Sequence, residues 1–220
     1  MEKINYFNYC AVIIIFILFI SIFFRRLIHG KSNRYFTAIT MIILLSSVFD
    51  TMAIGFDNAG SGNVFWKNFS HMGYLLFHNL TAAAYVLYFV SLTDTWHKFK
   101  NTVMRVMFYL PISIVTAAIV TNPFTHLIFS LDENDIYTRG ILFPILYVSS
   151  FFYLAIGLIH LIKFHNLFQT SKFISLIMMY PIIILAILIQ MLYPQYPVEM
   201  FANAIALLFV PMMIQRPEDE

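Results

Sequence analysis

The chain has 220 residues, of which 60% are hydrophobic, 18% aromatic and only 11% charged. A water-soluble domain is nearer 45–50% apolar and about 25% charged, so this composition points to a bilayer as solvent. The formal net charge of +2 and the lack of any long basic run exclude a nucleic-acid binder. Cys10 is the one cysteine, which excludes an internal disulfide and a thiolate metal cluster.

A spanning helix needs about 20 mostly apolar residues. Seven segments meet this in chain order: Phe7–Phe24, Phe36–Ile54, Phe69–Leu92, Met104–Val120, Ile141–Ile162, Phe173–Leu192 and Val198–Ile214. The first is followed by Arg25 and Arg26, whereas a cleaved signal peptide carries its charges before the apolar run. It therefore reads as a retained helix. Consecutive apolar positions such as Ala11–Phe19 argue against a β-barrel, whose strands alternate. The predicted fold is all-α, a single domain over residues 1–220 forming an integral membrane bundle of seven helices.

Lysine and arginine set the orientation. Arg25, Arg26, Lys31, Arg34, Lys98, Lys100, Arg105, Lys163, Lys172 and Arg216 fall on one side, and Lys3, Lys67 and Arg139 on the other. The richer side is expected to be cytoplasmic, which puts the N-terminus outside and the C-terminus inside. Trp66 and Trp96 flank the third helix and mark the two interfaces. Asp94, Trp96, His97 and Lys98 read as an anchor at the cytoplasmic exit.

Pro111, Pro181 and Pro211 lie inside helices, where each frees a carbonyl and bends the backbone. Pro144 sits near a helix start, where the missing N–H costs little. Ordinary bundle geometry and a set of hinges are both open readings of these prolines. Ala82–Ala84, and Ala202 with Ala206, mark expected close helix contacts. The external loop after the second helix, Gly55–Gly62, is rich in glycine and serine. The longest external loop, Thr121–Gly140, carries an apolar stretch, Leu127–Leu131, suited to lying in the interface or folding back as a lid.

No phosphate loop, hydrolase elbow, zinc motif or dinucleotide fingerprint occurs. The informative residues are polar ones at membrane depth. Asp50 is near the outer end of the second helix. His71 and His78, seven apart, share one face of the third, with Tyr74 between them and Asn79 following. His126 lies in the long loop. These six are expected to line one outward pocket, in which imidazole and carboxylate bind a metal, relay a proton or hold a polar ligand. The alternative is that they satisfy each other as structural hydrogen bonds. No metal set and no cofactor is assigned; His78 and His160 lie at depths too different to be axial ligands of one haem. Tyrosines 85, 88, 147, 153 and 180 either donate hydrogen bonds across the bundle or fill it.

Three segments carry a family resemblance. They are Leu76–Leu80 running on to Tyr88–Thr93; Thr121–Phe129 (Thr-Asn-Pro-Phe-Thr-His-Leu-Ile-Phe) with Tyr137–Gly140; and the ending Ile214–Asp219. With the seven spans, the chain resembles the bacterial seven-helix N-terminal sensor module that precedes histidine-kinase or GGDEF output domains. The resemblance implies a sensory input module in the bacterial cell membrane, without catalysis of its own. Pro211, Arg216 and Pro217 are then the signal exit. The partners it implies are the lipid bilayer, a small ligand of unspecified identity, and a C-terminal output domain or partner signalling protein, with a homodimer left open. A small transporter for a polar solute or ion is the rival class, disfavoured by the odd helix count and the lack of an internal repeat.

Overall fold

The computed structural model describes residues 5–24, 31–59, 64–96, 101–132, 137–168, 170–193 and 195–214, with the side chains of 31, 171 and 211–214 outside the description. Seven helices appear: α1 Tyr6–Phe24, α2 Lys31–Asn58, α3 Val64–Leu92, α4 Thr102–Thr125, α5 Pro144–Lys163, α6 Thr170–Leu192 and α7 Glu199–Ile214. Between α4 and α5 lies a hairpin of two three-residue antiparallel strands, β1 Phe129–Leu131 and β2 Tyr137–Arg139, in the register Phe129 opposite Arg139. A short 3-10 turn, His165–Leu167, follows α5. Six of the helices are long and apolar enough to cross a membrane; α7, with 16 residues, is shorter.

The outer helices α1 and α4 each bury one stripe and turn the rest outward. In α1 the stripe is Asn8, Ala11, Ile15, Leu18 and Ile22. In α4 it is Phe108, Ile112, Val115, Ile119 and Asn122. Both step by three and four, the spacing that keeps side chains on one helical face. The outward residues are apolar too: Ile13, Phe16, Ile17 and Phe23 on α1, and Val106, Met107, Leu110 and Ile114 on α4. Such faces are costly in water and suited to hydrocarbon.

α3 is the central helix, packed on α2, α4 and α5; α7 packs on α6, α1 and α2. The main core joins α1, α2, α3, α6 and α7 through residues such as Ile15, Ile43, Phe89, Met179 and Leu207. Ala202 and Ala206 are buried in α7, where small side chains allow close approach. A second cluster seats Ile128 and Phe129 of the hairpin against Leu75, Val115, Ile119 and Leu146.

Two expected loops are shorter than their sequences suggest. α2 runs four residues past Ile54, so Asp57 is helical. α4 runs five residues past Val120, through Pro123, and ends at His126 in the left-handed conformation (φ 53°), whose N–H caps Asn122 O at 2.8 Å. Lys67, placed in a loop by its charge, is a residue of α3 with 1% exposure. Pro144 occupies the first turn of α5, as its position predicts.

Pro111 is accommodated by a side chain. The Tyr153 hydroxyl of α5 donates to Phe108 O, and Ile112 N donates to that hydroxyl at 3.2 Å. A phenol thus stands in the ladder where a direct i to i−4 bond would otherwise run.

Candidate functional site

The polar residues of α3 meet partners from three different helices. His71 Nε2 lies 3.0 Å from Asp57 Oδ1 of α2. Its ring stacks on Tyr137 at 4.3 Å between centroids and approaches Phe129 at 5.6 Å, so this pair sits directly beneath the hairpin. Burial pushes the Tyr137 phenol well above its ordinary value, against the opposing pull of the Arg139 charge, with Asp57 and Asp50 adding to the rise.

Seven residues along the same face, His78 Nε2 lies 3.3 Å from Glu199 Oε1, the first residue of α7. Seven residues of helix cover about 10 Å, so the two pairs occupy different depths. That Glu199 reaches His78 follows from the shortness of α7, which begins inside the bundle. A carboxylate in its first turn complements the helix dipole. Gln190 of α6 fixes the start of α7 by accepting Glu199 N–H at 3.1 Å, and Asn203 Nδ2 donates to Glu199 O at 3.0 Å. Tyr74 lies between the two pairs, its ring 5.5 Å from that of His78, and within electrostatic reach of both Asp50 and Glu199.

Asp50 engages α1: Asn8 Nδ2 donates to its Oδ2 at 2.7 Å, and both residues are buried. Asn79 donates to Leu75 O at 3.1 Å and accepts a long 3.5 Å bond from Ser150 of α5. His126 is exposed at the end of α4 and does not join these residues. Of the six candidate residues, Asp50, His71 and His78 are each drawn to a different helix, with Tyr74 within reach of both Asp50 and Glu199. His160 bonds Thr93 Oγ1 at 2.9 Å near the other end of α3 and α5. Pro211 is within the helical span of α7, whereas Arg216 and Pro217 lie outside the described residues.

Two carboxylates that complete the pairs, Asp57 and Glu199, were not singled out by sequence. Glu199 carried a usable signal, since it is the acidic residue inside the expected span Val198–Ile214. Asp57 carried none, because it lay in what read as a glycine-rich loop.

A half-open cavity of about 30 Å³ lies beside the deeper pair, lined by His78, Thr81, Ser150, Glu199, Asn203 and Tyr85 together with Ala82, Leu154, Ile183 and Ile187. His78 Nδ1 and the Tyr85 hydroxyl are buried without a hydrogen-bond partner. Among the described residues no group of three or more His, Cys, Asp or Glu side chains is placed to hold a metal ion.

The hairpin is held over the upper pair by one side chain. Asn122 Oδ1 accepts Ile128 N–H at 2.8 Å and Phe129 N–H at 3.1 Å, while its Nδ2 donates to Phe129 O at 2.9 Å. Gly140 closes the hairpin where a Cβ would stand 2.3 Å from Leu127 O, a distance only glycine permits. The Asn-Pro-Phe-Thr-His and Tyr-Thr-Arg-Gly segments are therefore two halves of one cap.

A seven-helix bundle, with a hairpin cap at one end and buried ionisable pairs on its central helix, defines a multi-pass membrane protein. The family model for the N-terminal 7TM region of histidine kinases matches residues 8–216, and the chain belongs to that family. No curated protein and no solved structure gives a match. The family describes a membrane sensory input region.

Proposed function

We propose that the chain is a membrane-embedded sensory input module that receives an extracytoplasmic or intramembrane signal and passes it to a cytoplasmic output domain, of kinase or diguanylate cyclase type, beyond its C-terminus. It has no catalysis of its own. The N-terminus and the hairpin face outward, a reading supported by the ten-to-three division of basic residues. The signal-receiving residues are Asp50, His71, Tyr74, His78 and Asn79, and the bilayer is the bacterial plasma membrane.

The contact between His78 and Glu199 carries this reading. It ties the central helix to the first residue of α7, the helix that leads to the C-terminal end. A ligand shifts a receptor only through unequal affinity for two arrangements, and a contact between two helices at a buried ionisable pair is where such a difference is exerted. Pro211, with Arg216 and Pro217 after it, forms the exit.

The test is to join the chain to a cyclase or kinase reporter. His78→Ala should change basal output or response at unchanged membrane level, and Pro211→Ala should change output likewise. Parallel loss of output and expression in His78→Ala would leave the pair with a merely structural role and sink the reading.

A further inference from the structure

Past the end of α3 away from the hairpin, Trp96 stacks on Tyr35 of α2, with ring centroids 5.1 Å apart. The stacked pair borders an open groove of about 440 Å³, lined among the described residues by Arg34, Tyr35, Ala38 and Trp96. That volume lies within the ~300–1,000 Å³ of ligand clefts. Arg34 is exposed and makes no ion pair or hydrogen bond among the described residues. Its guanidinium carries donors only and stays charged at any pH a cell meets. The Tyr35 hydroxyl likewise makes no hydrogen bond among the described residues. No carboxylate is among the described lining residues, and Asp94, just before Trp96, is exposed and outside the groove.

The charge leading to the groove has one sign. In sequence, Arg25, Arg26 and Lys31 precede Arg34, and Lys98 and Lys100 follow Trp96, with no acidic residue in 25–34 or 96–100. Basic clusters of this kind beside a spanning helix attract anionic lipid. Further along α2 the face of Arg34 continues through Ala38, Met41 and Leu45, at helical steps of four, three and four. Ala38 and Met41 are exposed and Leu45 is half-buried, so this face passes from a cation to an apolar stripe that an acyl chain can follow. A soluble anion would use the arginine and leave the stripe and most of the groove unused. A zwitterionic headgroup would bring a second positive charge beside Arg34, with no described lining carboxylate to receive it. Tyr35 and Trp96 are turned to one another instead of caging such a charge.

We propose that the Arg34–Trp96 groove, between α2 and the end of α3, is a binding site for an anionic phospholipid of the surrounding bilayer. The Arg34 guanidinium holds the phosphate through paired N–H donors, and the Tyr35 hydroxyl adds another. Trp96 stands at the headgroup level, which indoles favour. The acyl chain lies over Ala38 and Met41. The bound lipid bridges α2 and the end of α3 at the opposite end of the bundle from the hairpin, apart from the residues assigned above as signal-receiving.

The experiment uses the intact chain in lipid nanodiscs, with Trp66→Phe so that Trp96 is the sole tryptophan. The discs are phosphatidylcholine doped, at equal mole fraction, with phosphatidylglycerol or phosphatidylcholine brominated near the headgroup end of the acyl chain. Quenching of Trp96 then reports which lipid occupies the groove. Phosphatidylglycerol should be preferred by about fivefold or more, the effect of one arginine near a membrane surface. Arg34→Ala should remove most of that preference. Ala38→Leu should weaken it by filling the groove while leaving every charge in place. Inorganic phosphate, at ionic strength matched with chloride, should not relieve the quenching. Equal quenching by the two lipids in the parent would mean an ordinary lipid annulus and overturn the site. A preference undiminished in Arg34→Ala would overturn it too, by placing selectivity in the general basic field, and one untouched by Ala38→Leu would mean a charge contact without a groove. Relief by inorganic phosphate would make the ligand a soluble anion and reject the lipid.

Discussion

Asn122 and Phe129 bond each other in both directions: the Asn122 amide donates to Phe129 O at 2.9 Å and its carbonyl accepts Phe129 N–H at 3.1 Å. The last turn of α4 thereby performs the work of a third strand for β1. The hairpin is too short to be stable alone, and this side chain with the burial of Ile128 and Phe129 keeps it over the bundle.

Asn122→Ala should release the hairpin while leaving the helices in place. It removes three hydrogen bonds from buried backbone groups, a loss of roughly 2–4 kcal/mol. Limited proteolysis in nanodiscs should cut between Leu127 and Gly140 faster than in the parent at unchanged helical circular dichroism. Unchanged cleavage would show that apolar burial alone seats the cap.

Tyr153→Phe should destabilise the α4–α5 contact by about 1–3 kcal/mol, since Phe108 O and Ile112 N lose the hydroxyl that joins them. The cost should shrink in a Pro111→Ala background, where a straighter α4 lets Ile112 N bond Phe108 O directly. A double-mutant cycle on Tm isolates this coupling. Additive effects would mean that the phenol does not compensate for the proline.

Tyr137 should stay protonated well beyond the ordinary phenol range. Its folded value is raised by burial, so stability is full below the unfolded value of about 10 and falls as pH rises past it, because the unfolded chain gives up the proton first. Tyr137→Phe should flatten the alkaline limb of a plot of stability against pH and leave the neutral region unchanged. An alkaline limb identical in parent and variant would place Tyr137 in water.

In a Cys10→Ser background, a cysteine at Ser61, between α2 and α3, should react with an impermeant maleimide added outside. A cysteine at Ser32, at the start of α2, should react only after permeabilisation. The reverse pattern would invert the orientation, and with it the side from which the hairpin is reached.

All seven helices are legible in the sequence as apolar runs; six have the length of about 20 residues that a bilayer demands, and α7, with 16 residues, falls short of it. The helix ends are not legible. The second helix reads as stopping at Ile54, yet α2 continues to Asn58 because Asp57 finds His71. The fourth reads as stopping at Val120, yet α4 continues through Pro123 because Asn122 holds the hairpin. Hydropathy ends where apolar residues end, whereas a helix ends where its backbone stops being satisfied. The same limit applies to the site. His71 and His78 announce themselves as polar residues on one helical face, and seven-residue spacing alone places them there. Their separation into one pair beneath the cap and another at the start of α7 depends on where Asp57 and Glu199 arrive from two other helices. Sequence spacing governs neighbours within a helix; contacts between helices, set by packing across the bundle, decide which carboxylate meets which imidazole.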